Sequence, residues 1–180
     1  MNKLIISFIG VAMLGWVASI ILTAVHFWAI PLIPADANLP GSMQVITSKW
    51  AYIGPIPLAT VGAVYYIMMI APGALWLSTK NQTLERMLLP ITAVGFVASL
   101  GFVYLQLGVI GAVCPFCMMS AAATTTLLGI ELYVKFRGGS STSTSIDASK
   151  VWPAVFATAM ALTIFAMWTL TILPLPGKGA

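Results

Sequence analysis

The sequence predicts an all-α integral membrane protein: a bundle of four transmembrane helices with a fifth transmembrane helix attached, the N-terminus cytoplasmic and the C-terminus outside. Composition is the first reason. Of 180 residues, 60% are Ala, Val, Ile, Leu, Met, Phe, Trp, Tyr or Cys and only 7% are charged, against about 25% charged in an ordinary soluble domain. The second reason is where the charges fall. They leave 30 consecutive uncharged positions at residues 50–79, 44 at residues 87–130 and 27 at residues 151–177, and about 20 apolar residues suffice for a helix to cross the hydrocarbon core. The third is an asymmetry of Lys and Arg, taken up below. Eight basic residues give a formal net charge of +4, but they are scattered at the ends of apolar runs and form no stripe that follows a phosphate backbone. No nucleic-acid partner is expected; the partner the composition implies is the lipid bilayer.

The first span is read at residues 4–25. Its apolar run exceeds the 7–15 residues of a signal-peptide core and no small-residue cleavage site follows, so an uncleaved anchor is expected. The second span occupies about residues 55–77. The 44-residue run is too long for one helix and divides near residues 108–115, where glycines and Pro115 interrupt helical continuity. That division gives a third span at about residues 87–107 and a fourth at about residues 115–134. A fifth runs over about residues 151–173. The Gly-Gly-Ser-Ser-Thr-Ser-Thr-Ser run before it reads as a flexible linker within residues 135–150, so the chain divides into a membrane domain at 1–134, that cytoplasmic linker, and the fifth helix with a short outer tail at 151–180.

With this number of spans, Lys3, Lys80, Arg86, Lys135, Arg137 and Lys150 share one side and only Lys49 and Lys178 lie on the other. The positive-inside rule makes the first side cytoplasmic. Trp28, Trp50, Trp76 and Trp152 near the span ends suit an interfacial belt, whereas Trp16 falls mid-span. In the outer loop, residues 27–54, Met43, Ile46 and Trp50 recur at helical spacing. This suggests a short amphipathic helix, either roofing a pocket or simply anchoring at the interface. Glu131, Lys135 and Arg137, at the other side of the membrane, read as a cytoplasmic anchor for the fourth span.

The two cysteines, Cys114 and Cys117, form a Cys-Pro-Phe-Cys stretch on the outer side. Two cysteines make no disulfide framework; this spacing points to redox or metal chemistry. At a helix start both sulfurs lie on one face, and exposed N–H groups with the positive end of the helix dipole favour a thiolate. Pro115 suits the first turn, where its missing N–H breaks no helical bond. The outer side is also where protein disulfides persist. Thiol–disulfide exchange is the functional reading. The alternatives are inert packing or a static disulfide, and Cu(I) binding with Met118 and Met119, although ten methionines are spread through the chain. His26 is a candidate base or ligand, or an ordinary solvated interfacial histidine.

Three stretches carry a family likeness: Val-Ile-Thr-Ser-Lys-Trp-Ala at 45–51, Gly-Pro-Ile-Pro-Leu-Ala-Thr-Val-Gly-Ala-Val-Tyr-Tyr at 54–66, and Tyr-Leu-Gln-Leu-Gly-Val-Ile-Gly-Ala-Val-Cys-Pro-Phe-Cys at 104–117. In content, order and spacing the chain resembles the vitamin K epoxide reductase family, especially its bacterial members that make disulfides by reducing quinones. The resemblance covers roughly residues 4–134. It implies a four-helix bundle around a quinone pocket, with menaquinone or ubiquinone as the cofactor, in a bacterial inner (plasma) membrane with the cysteine pair facing the periplasm. It further implies that Cys117 meets the quinone and Cys114 exchanges with an incoming thiol. Ser48 matches a loop serine or threonine that supports the active site, and Trp50 matches an aromatic of the loop helix that contacts the cofactor.

The chain departs from the family pattern in one respect that matters chemically. The outer loop normally carries a second cysteine pair that relays electrons from a thioredoxin-like partner. Here residues 27–54 contain none, and counting back from the 45–51 match places Ser42 where the second loop cysteine falls. A serine cannot form the mixed disulfide of such a relay. The thioredoxin-like domain fused to many bacterial members is likewise expected to be missing. Two functions follow. One is a quinone-linked, disulfide-forming oxidoreductase that passes electrons from a separate thioredoxin-like protein through Cys114 and Cys117. The other is a redox-silent subunit of a larger membrane complex.

Overall fold

The computed structural model describes residues 2–28, 41–79 and 81–137, together with isolated helical positions at Ala157, Ala161, Ile164 and Trp168. The expected linker beyond Arg137 and the fifth span otherwise lie outside the described residues. Within them, α1 (Asn2–Trp28), α3 (Leu58–Thr79), α4 (Gln82–Tyr104) and α5 (Pro115–Phe136) are the long helices, and each is long and apolar enough to cross a membrane. The outer loop contributes the short helix α2 (Ser42–Thr47), a 3₁₀ turn (Lys49–Ala51), and a two-stranded hairpin in which β1 (Tyr52–Ile53) pairs antiparallel with β2 (Ile56–Pro57).

The long helices form a closed ring in which α1 packs on α3 and α5, and α4 packs on α5 and, more loosely, on α3. Helices rather than strands span here because every backbone N–H and C=O must find its partner inside the segment. Polar side chains follow the same rule. Ser19 and Thr23 donate to the carbonyls of Gly15 and Ser19 at 3.0 and 2.8 Å, one turn back in their own helix.

Two apolar clusters hold the ring. One lies toward the start of α1 and the end of α5, with Ile5, Phe8, Trp76, Leu84, Leu88 and Leu127 at its centre. Phe8 and Trp76 meet edge-to-face there, ring centroids 6.1 Å apart. The second lies at the opposite end and brings Leu22, Val45, Ile46 and Ala112 around Cys114.

Several expectations change. Trp76 is fully buried against Phe8 and takes no part in an interfacial belt. Arg86 lies within α4, which begins at Gln82 with the Asn81 side chain accepting the Thr83 N–H at 2.8 Å, so the connection after α3 is shorter than read. Glu131 is buried inside the bundle, with 1% of its surface exposed, and is not a surface anchor. Of the two readings of the loop helix, the roof is the one observed: Val45 and Ile46 of α2 are buried and face the cavity described below.

Candidate functional site: a dithiol beside an apolar cavity

The site is built by the way α4 ends. At Leu105–Ile110 the helix widens into a π-turn, a deviation that recurs at functional sites. Gly111 then turns the chain at φ 70°, ψ 19°, a left-handed conformation suited to glycine. The π-turn directs Gln106 inward until only 2% of it is exposed. The Gln106 carbonyl accepts the N–H groups of Gly111 and Ala112, the latter at 3.1 Å, and its side-chain Oε1 accepts the Cys114 N–H at 2.8 Å. One glutamine therefore ties down residues 111–114, the approach to the cysteine turn.

From there Cys114 takes the N-cap position of α5, Pro115 the first helical position, and the Cys114 carbonyl accepts the Met118 N–H at 3.0 Å. Cys117 follows in that first turn, and both cysteines are free thiols. Their surroundings differ. Cys114 is completely buried beneath α2, whereas Cys117 is half-buried and lines the cavity. The Cys114 thiol is lowered to about 6, chiefly because the Cys117 thiol hydrogen-bonds to its sulfur. Burial opposes this shift, and the Cys117 N–H, the Ser42 side chain and the Phe116 N–H assist it. The two amides act at longer range than a full capping bond.

The cavity has a volume of about 330 Å³ and walls contributed by α1, α2, α3, α4 and α5. That lies within the usual range for small-molecule sites. Its apolar lining includes Leu22, Leu58, Ile91, Val94, Phe102 and Ile110. A small polar group stands on the α5 side: the Tyr66 hydroxyl lies 2.8 Å from Ser120 Oγ and 3.0 Å from Thr124 Oγ1.

The remaining sequence candidates can now be placed. Ser48 lines the cavity and caps the end of α2, its hydroxyl donating to the Val45 carbonyl at 2.7 Å. Trp50 lines the outer part of the cavity, 44% exposed, with the Lys49 ammonium 5.3 Å from its ring centroid. His26 also faces the cavity and meets the Tyr52 ring edge-on at 4.9 Å. Met118 and Met119 are not on the cavity wall, and among the described residues no group of three or more His, Cys, Asp or Glu is placed to hold a metal. Gln106, Tyr66, Ser120 and Thr124 escaped sequence reasoning. The only available signal was a glutamine inside an uncharged 44-residue run, eight positions before Cys114.

A dithiol at a helix start, one sulfur on an apolar cavity within a four-helix membrane bundle, defines a class of membrane thiol chemistry. The sequence model of the vitamin K epoxide reductase family matches residues 6–132, and the chain belongs to that family. The family consists of membrane thiol–disulfide oxidoreductases that work with quinones. No curated protein sequence matches the chain closely enough to add a relative.

Proposed function

We propose that the protein is a quinone-linked oxidoreductase that takes two electrons from the dithiol of a separate thioredoxin-like protein and passes them through Cys114 and Cys117 to menaquinone or ubiquinone. The observation that carries this reading is the division of labour between the two sulfurs. Cys117 faces the cavity, while Cys114 lies outside it, beneath the outer loop, with its thiol lowered to about 6. The cavity fits a quinone head: its walls are mostly apolar, and Ser48, Trp50, the Tyr66–Ser120–Thr124 group and Gln106 supply polar or aromatic contacts. A bound quinone supplies the two-electron acceptor.

The residues' own steps are thiol chemistry. With Cys114 and Cys117 joined as a disulfide, a partner thiolate attacks the Cys114 sulfur, forming a mixed disulfide and releasing Cys117 as thiolate. The partner's second thiolate then attacks its own half of that bond, leaving the partner oxidised and Cys114 reduced. Cys114 and Cys117 re-form their disulfide as two electrons leave through Cys117. The thiolate at Cys114 is the leaving group that makes the second attack favourable.

Lys3, Arg86, Lys135 and Arg137 are exposed at the end of the bundle away from the cysteines. Their position supports the cysteine pair facing the periplasm of a bacterial inner membrane. Ser42 contributes its side chain to Cys114 where a loop cysteine would stand, so the partner must reach Cys114 itself, and α2 must move aside to admit it. The test is oxidation of a reduced periplasmic thioredoxin-like protein by the purified chain in quinone-containing proteoliposomes. Turnover that Cys117→Ser abolishes is the expected result. No turnover, together with a stable membrane complex that survives replacement of both cysteines by serine, would establish the subunit role instead.

A further inference from the structure

Glu131 has no part in the thiol chemistry, yet a buried carboxyl is costly to place in a bundle. It lies inside a spanning helix, 1% exposed. Oε1 accepts the Thr92 hydroxyl at 2.8 Å, while Oε2 is buried with no hydrogen-bond partner among the described residues. Ionisable groups inside spanning segments are rare, face the bundle interior, and mark ion pathways and proton relays.

Its neighbours extend in both directions. Toward the cavity, Thr124 lies seven residues earlier in α5 and so on the same face of the helix. The Tyr65 hydroxyl is buried beside the Thr92 and Thr124 hydroxyls without reaching full hydrogen-bond geometry with either. Thr124 in turn joins the Tyr66–Ser120 group on the cavity wall. Gly95 makes the crossing fit: a Cβ there would collide with the Tyr65 hydroxyl and ring. Away from the cavity, Glu131 is five residues from the end of α5, about 8 Å of helix rise. Glu85 in the first turn of α4 is buried there and interacts with it electrostatically. Among the described residues, the other charged groups of that end, Lys3 on α1, Arg86 on α4, and Lys135 and Arg137 on and after α5, are exposed.

The geometry points to Glu131 as a proton-transfer site that, with Thr92, Tyr65, Thr124 and Tyr66, supplies protons to the cavity from the end of the bundle opposite the cysteines. This rests on the quinone-linked reading above. Oxidation of the thiol pair to a disulfide releases two electrons and two protons; reduction of a quinone to its hydroquinone consumes two of each. If the protons consumed enter past Glu131 while those released leave at the cysteine face, each disulfide made carries two positive charges' worth of protons across the membrane. In its acid form Glu131 has an O–H to give from Oε2 while Oε1 keeps the Thr92 bond.

The experiment uses proteoliposomes oriented with the Glu131 end inward, containing ubiquinone or menaquinone and a trapped pH dye, with a reduced thioredoxin-like protein outside. Disulfide formation and lumen pH are read together. Wild type should alkalinise the lumen in step with disulfide formation. Glu131→Gln, which keeps an acceptor for Thr92, should lower the proton uptake rate by about 100-fold, and Thr92→Val should lower it as well. Disulfide formation with no lumen alkalinisation overturns the proposal. A second readout needs no turnover: the infrared C=O stretch of the Glu131 acid, identified by its loss in Glu131→Gln, should shift in D₂O. A band that does not shift overturns the proposal even where disulfides form. If wild type makes no disulfide while this band exchanges, the oxidoreductase reading fails and Glu131 stands as a proton-exchanging site.

Discussion

Cys114 is activated mainly by its own motif, with one contribution from a distant part of the chain. The lowered thiol rests first on the Cys117 thiol, with the Cys117 and Phe116 N–H groups assisting, and also on Ser42, a residue 72 positions away in sequence. The sign is direct: a thiol lowered from about 9 to about 6 is thiolate through the neutral range and becomes protonated as pH falls through 6. Thiolate absorbance in the ultraviolet, followed against pH in Cys117-containing protein, should therefore show a midpoint near 6, and Ser42→Ala should move that midpoint upward. An unchanged midpoint would mean that Ser42 contributes nothing. Gln106 makes the complementary case. Gln106→Leu leaves the buried Cys114 N–H without its acceptor, and such a loss costs about 1–3 kcal/mol, measurable as a lower unfolding midpoint in detergent. The cysteine pair was legible because its spacing is local. Gln106 and Glu131 were not, because a polar residue's partner is chosen by the tertiary fold: Thr92, which holds Glu131, lies on a different helix.

The elements show the same division. Four spans could be read because a run of apolar residues long enough to cross a bilayer has few other uses, and charge placement punctuated them. The break in the 44-residue run was also placed well, since the structure puts a π-turn at Leu105–Ile110 and a left-handed Gly111 close to it. What the pattern could not show is that the π-turn aims a side chain, or that residues 52–57 form a hairpin of two-residue strands, too short for any alternation to register. For α2, helical spacing was visible but its seat was not, because an apolar face suits lipid and protein equally. The seat makes a specific prediction. Ser42→Cys places a third thiol against Cys114, so mild oxidation should yield a cross-link between positions 42 and 114, detected by mass spectrometry after proteolysis. Formation of the 114–117 pair alone would show that α2 does not rest on Cys114 in the membrane.

At the scale of the whole molecule, the bundle is an apolar shell around a site that is polar on one side. The cavity reaches the loose seam between α3 and α4, where Tyr65 and Tyr66 on one helix and Ile91, Val94 and Gly95 on the other line it. A space of about 330 Å³ takes a ring-sized ligand or the end of a lipid chain, and stability separates the two. A ligand that binds only the folded bundle adds about 2.7 kcal/mol at a hundred times its dissociation constant, which for a protein of this size raises the unfolding midpoint by roughly 5–10 °C. Menaquinone or ubiquinone added to protein in detergent should produce that rise, and an equal amount of a saturated lipid should not. Cys117→Ser should retain the shift, because filling the cavity does not require electron transfer, while Ala121→Phe, which adds a ring to the cavity wall, should abolish it. A rise of equal size with quinone and lipid would mean that the cavity is an unspecific acyl groove. In that case the polar group formed by Tyr66, Ser120 and Thr124 would be bundle packing, with no part in holding a quinone.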